Sequence, residues 1–97
     1  MPTDIASIAD TTLIARSHSV LTSDVGGEVL MMNIKVGRYF GLDDIGSDIW
    51  HRLETPCTFG ALVAALARDY KADQETIAAD LKVLLGKMIE SDTITLD

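Results

Sequence analysis

The sequence predicts an α+β fold, a three-stranded antiparallel β-meander followed by a three-helix winged helix-turn-helix-like bundle with a short closing strand. Two patterns carry this reading. Between residues 20 and 42, segments rich in Val, Leu, Met, Tyr and Phe are separated by glycine-containing turns. From residue 43 onward, apolar residues recur every three or four positions behind Asp and Thr capping residues. The length also bears on it: 97 residues with 47% hydrophobic side chains fill one core and are too few for two.

Residues 1 to 17 mix Ala, Ser, Thr and Asp with scattered Ile and Leu and read as a flexible N-terminal arm, with Thr12 to Ala15 offering a short edge strand; residues 18–97 form the folded domain. Val20 to Val25 and Glu28 to Asn33 flank Gly26-Gly27, a dipeptide that reaches positive φ without a Cβ clash, so they read as a hairpin. Val29 and Met31 alternate with Leu30 and Met32, so the second strand has something apolar on both faces and belongs at the sheet centre. Asn33 to Gly37 is the next turn, and Arg38 to Leu42 the third strand, at an edge.

Asp43 or Asp44 caps the first helix, whose inward stripe is Ile45, Ile49 and Leu53 behind Leu42; Pro56 ends it. Thr58 caps a second helix with Phe59, Leu62, Val63, Leu66 and Tyr70 facing the core. Asp73 caps a third with Ile77, Leu81, Leu84, Leu85 and Met88 inward. Thr93 to Leu96 alternates polar and apolar as a closing strand does.

Charge excludes some partners. Fifteen acids against eight Lys and Arg give a net charge of -7, which repels nucleic acid and anionic membrane alike. The third helix and its flanks hold Asp73, Glu75, Asp80, Glu90 and Asp92 against Lys82 and Lys87. A winged helix-turn-helix regulator gripping DNA through that helix is therefore the weaker alternative. Cys57 is the single cysteine, which fits a reducing cytoplasm and reads as a small buried apolar residue. No secretory signal or membrane-length apolar run is apparent, so a soluble cytoplasmic protein is expected.

Catalytic chemistry has no foothold. His18 and His51 stand apart, Asp43, Asp44 and Asp48 suit capping and solvation, and Gly26-Gly27 lacks a phosphate-loop context. The sequence thus points to a non-catalytic protein needing neither cofactor nor metal. The binding mode that suits it is strand addition to an exposed sheet edge. On the third strand Tyr39 points away from Arg38, Phe40 and Leu42, between Gly37 and Gly41 that leave backbone accessible. On the third helix one flank, Thr76, Asp80, Val83 and Lys87, competes with the other, Ala78, Lys82, Gly86 and Ile89, as the facing wall.

Arg38-Tyr39-Phe40-Gly41-Leu42, then Ile45-Gly46-Ser47-Asp48-Ile49-Trp50 with Leu53, then Thr58 with Leu62 and Asp80 with Leu84-Leu85, resemble the PqqD-like family of leader-peptide recognition domains over roughly residues 19 to 96. Where that family closes the third helix with Gly, this chain has Asp92-Thr93, and Asp tolerates the left-handed conformation better than most residues. The resemblance implies an element that takes the leader of a ribosomally made precursor as an extra strand between third strand and third helix. It implies peptide contacts from Arg38, Tyr39, Phe40, Gly41 and Leu42 on the strand and Asp80, Val83, Leu84 and Lys87 on the helix, with Tyr39, Val83 and Leu84 burying guest side chains. Glu54-Thr55-Pro56 in place of an Asp-Gly leans toward the lasso-peptide group, with a leader peptidase and a macrolactam cyclase as partners, over a chaperone of pyrroloquinoline quinone synthesis. The exposed edge also offers a route to dimers by strand pairing.

Overall fold

The structure, a computed structural model, describes residues 8–26, 28–35 and 37–97. The order is β1 (Leu13–Arg16), β2 (Val20–Val25), β3 (Glu28–Asn33), β4 (Arg38–Gly41), α1 (Asp44–Arg52), β5 (Cys57–Thr58), α2 (Phe59–Tyr70), α3 (Gln74–Glu90) and β6 (Ile94–Leu96). The strands form two antiparallel sheets, β2-β3-β4 and β5-β1-β6.

The meander has the expected order. Val25↔Glu28 closes the first hairpin with Gly26 at φ +61°, and Asn33↔Arg38 closes the second with Gly37 at φ +66°. Gly27 and Val36 lie outside the described residues. As expected, β3 is central. Its Val29 and Met31 are buried in the core, but Leu30 is exposed and Met32 half-buried on the outer face.

The second sheet departs from the expectation of a loose arm followed by three strands, three helices and a closing strand. Leu13–Arg16 is the centre of that sheet, neither arm nor edge: Ile14 is 0% exposed and pairs with Cys57 on one side and Leu96 on the other. Arg16 holds it to α1, donating from Nη2 to the Trp50 carbonyl at 2.6 Å and lying 4.5 Å over the indole ring. Ile8 joins the same core. Residues 1 to 7 of the expected arm lie outside the described residues. The helices do not make a self-contained bundle either, since β5 intervenes between α1 and α2, and α1 packs on β3 while α2 packs on α3.

Each helix starts on the expected cap. The side chains of Asp43, Thr58 and Asp73 accept from the amides of Gly46, Ala61 and Thr76. After α3, Asp92 takes φ +57°, the left-handed conformation that Asp was expected to tolerate. Two core assignments fail. Ile45 is 55% exposed, lining an open cavity with Ile77 and Leu84 of α3, and Trp50 takes an inward position with Ile49 and Leu53. Tyr70, in the last turn of α2, is also exposed.

Tyr70 instead completes a polar clasp between α1 and α2. Its hydroxyl donates to Asp48 at 2.6 Å, and Arg52 donates to Asp48 at 3.0 Å and to Asp69 at 2.8 Å. Burial would raise the Asp48 carboxyl, but the bonds from Tyr70 and Arg52 outweigh it and hold it below its ordinary value. The same bond to Asp48, with some desolvation, raises the Tyr70 phenol. Bonds from Arg68 and Arg52 lower Asp69.

Candidate functional site

β4 ends its sheet, and among the described residues no strand pairs with its outer edge. In an antiparallel ladder, residues that bond to the neighbour alternate with residues that do not. The Leu42 amide donates to the Val29 carbonyl at 2.9 Å, and the register continues through Met31↔Phe40 and Asn33↔Arg38. Positions 38, 40 and 42 therefore spend their backbone groups on β3. Tyr39 and Gly41 turn both N–H and C=O away from the sheet.

Two buried side chains pin this edge to the helices. Ser47, 2% exposed, accepts from the Val29 amide at 3.0 Å and donates to the Leu42 carbonyl at 3.2 Å. Its hydroxyl bridges the last rung, where the strand has begun to turn into α1. At the other end Asn33 donates to the carbonyls of Ser91 and Asp92 at 3.1 and 2.7 Å and accepts from the Lys35 amide at 2.9 Å. Lys35 also pairs with Asp92 at 3.5 Å, so the β3–β4 hairpin is moored to the end of α3.

Between these moorings β4 and α3 run in opposite senses along a groove made of two joined cavities. One, of about 300 Å³, lies between Phe40, Gly41 and Leu42 on the strand side and Leu84, Lys87 and Met88 on the helix, with Met31 and Thr93 beneath. The other, of about 240 Å³, lies past the strand's end between Asp43 and Ile45 of the α1 entry and Ile77, Asp80 and Leu84 of α3. Leu84 belongs to both.

Of the residues expected at a peptide site, Phe40, Gly41, Leu42, Asp80, Leu84 and Lys87 come together in this groove. Arg38 shares the side-chain face of Phe40 and Leu42 at the strand's start but lines neither cavity. Tyr39, 79% exposed, stands on the opposite face of the sheet, and Val83, 57% exposed, lies outside both cavities next to Leu84. The competing flank of α3 is occupied: Lys82 Nζ lies 5.7 Å from the Phe59 ring centroid, and Ala78 lines a different cavity with Asp10 and Phe59. The sequence reading missed Ile45, Ile77 and Met88, which it took as core alone. Their helical spacing was visible, but a core stripe whose margin is left uncovered has the same spacing as one that is covered.

Among the described residues no helix is long and apolar enough to cross a membrane, and no His, Cys, Asp and Glu group is gathered to hold a metal ion. Cys57 is half-buried, and burial pushes its thiol up.

An unpaired strand edge facing a helix across an apolar groove defines a class of small α+β domains equipped to take an extended chain. The family model described as coenzyme PQQ synthesis protein D (PqqD) matches residues 28–94, and this chain belongs to that family. Among solved structures it is similar to TbiB1, recorded in complex with the TbiA(beta) leader peptide, at 30% sequence identity and a TM-score of 0.77 over 82% of this chain and 93% of that one. Curated proteins yielded no significant match.

Proposed function

We propose that this protein is a non-catalytic recognition element that captures the leader of a ribosomally made precursor peptide as a strand added to β4, its side chains seated against α3. The outward backbone of Tyr39 and Gly41 beside the apolar groove is the observation that carries the reading. TbiB1, similar over most of both chains and recorded with a leader peptide, supports it.

Energetics set what each part contributes. Two outward amides and two outward carbonyls, at about 1 kcal/mol net each, offset only part of an association cost of about 4 to 15 kcal/mol. A micromolar complex needs about -8 kcal/mol. Guest side chains entering the groove, at about 1.5 to 3 kcal/mol each when fully buried, supply the difference. The bound precursor then goes to its processing enzymes, which on the lasso-peptide reading are a leader peptidase and a macrolactam cyclase. The family's description favours a second reading, a peptide chaperone in pyrroloquinoline quinone synthesis.

The test is calorimetry with two synthetic probes, the TbiA(beta) leader peptide and the leader of a pyrroloquinoline quinone precursor. Gly41→Ala and Gly41→Pro are compared with the wild type. A Cβ at Gly41 meets only Leu30 at 3.7 Å, so Ala is accommodated; Pro removes an outward amide that β3 does not use. Strand addition predicts that Ala retains binding and Pro loses about tenfold or more. Equal affinities of both variants would refute it. The probe that binds separates the two pathway readings, and duplex DNA at moderate salt should not bind.

A further inference from the structure

The groove is electrically polarised. At its α1 end stand Asp43 and Asp80, and at its hairpin end Lys87 and Arg38. Among the described residues Asp80, Lys87 and Arg38 have no ion-pair partner, whereas Lys35 and Asp92 at the hairpin end neutralise each other. Asp43 caps α1 by accepting from the Gly46 amide at 2.8 Å and has no ion-pair partner among the described residues. The two signs are separated by Leu84 and the apolar cavity floor.

We propose, building on the strand-addition reading, that the groove selects a guest with a basic residue opposite Asp80 and Asp43, an acidic residue opposite Lys87 and Arg38, and an apolar residue over Leu84 between them. The spacing follows from helix and strand geometry. Asp80 and Lys87 are seven residues apart, about 10.5 Å along the helix axis. An extended guest points every second side chain at α3, about 6.6 Å apart, so two such steps, about 13 Å, span the charges within side-chain reach. The recognised pattern is charge, apolar, opposite charge at alternating positions. Among the described residues every strand pairing is antiparallel. An antiparallel guest on β4 enters at the acidic end, so its basic residue comes first in sequence.

Each unpaired rim charge is exposed and would gain its partner at the surface. Ion pairs of that kind are individually weak, so the pattern acts as a selector and the apolar contacts as the anchor. A guest with reversed charges meets repulsion at both ends.

The experiment selects binders from a library of randomised twelve-residue peptides displayed against the wild-type protein. The strongest is synthesised with a twin in which its charges are reversed. Both are titrated by calorimetry into the wild type, the Asp80→Lys/Lys87→Glu double variant and Gly41→Pro. The expected result is a preference of about three- to tenfold for the selected peptide in the wild type, abolished in the double variant because Asp43 and Arg38 keep their signs and offset the swapped charges, with binding lost in Gly41→Pro. Circular dichroism spectra and melts confirm that each variant folds. Binding that is lost in Gly41→Pro but indifferent to charge reversal would overturn this inference and leave strand addition standing. Binders unaffected by Gly41→Pro would overturn both.

Discussion

Replacing Ser47 by Ala removes the one hydroxyl that closes the last rung between β3 and β4. Ser47 Oγ takes the Val29 amide at 3.0 Å and gives its own proton to the Leu42 carbonyl at 3.2 Å, in a site where Ser47 is 2% and Val29 1% exposed. The alanine fits the same space, so no repacking offsets the loss. It leaves a buried N–H with no acceptor, which costs about 1 to 3 kcal/mol. At about 4 to 8 °C per kcal/mol for a domain of this size, a central value of about 2 kcal/mol lowers Tm by about 8 to 16 °C. Circular dichroism melts give the shift, and amide hydrogen exchange locates it, since the Val29 amide should lose protection before the rest of β3. Ser47→Cys, with a weak donor and acceptor, should fall between. A melt within about 2 °C of the wild type, with the Val29 amide still protected, would refute the bridge, since the predicted shift is several times larger. The rung also matters to the groove, because Asp43 and Ile45 line it from the turn that Ser47 moors.

Val83→Asp should leave Tm unchanged, as the side chain is mostly exposed, and should weaken a groove-bound peptide by about fivefold if guest side chains spread over the rim, corresponding to about 1 kcal/mol of lost burial. Unchanged affinity in a calorimetric titration would confine the wall to Leu84 and Lys87. The clasp between α1 and α2 sets a pH window. Asp48 and Asp69 titrate lower when folded, so their contribution is present above the ordinary carboxylate value of 3.8 and fades as pH falls below it. Tyr70 titrates higher when folded, so its contribution is complete below 10.0 and fades as pH rises through the raised value. Tyr70→Phe should flatten the alkaline limb of a Tm-against-pH profile and leave a residual acid limb from Asp48 and Asp69 with the arginines. Cys57, with its thiol raised by burial, should react with iodoacetamide at pH 8 more slowly than the same thiol in urea-unfolded protein, and equal rates would contradict its burial.

By itself the sequence determined whatever depends on neighbours along the chain. Alternation and paired turn glycines placed β2, β3 and β4; the caps Asp43, Thr58 and Asp73 placed three helices; and Asp92 was foreseen as a residue able to take the left-handed turn. These are local signals, because backbone geometry and hydrogen-bond capping act over a few residues. The closing strand at Thr93 to Leu96 and a short strand at Thr12 to Ala15 were legible too, but tertiary structure alone decided that they pair in a second sheet, in which Ile14 meets Leu96 across some eighty residues and a two-residue strand at Cys57 completes the set. No local pattern marks so short a strand, whose stability comes from partners supplied by distant chain. The same holds for the groove: that α3 turns Asp80, Leu84 and Lys87 toward β4, and Lys82 toward Phe59, follows from where the Asn33 and Ser47 moorings hold the sheet against the helices. A helix presents every flank equally in its sequence, and only packing chooses which one is left uncovered.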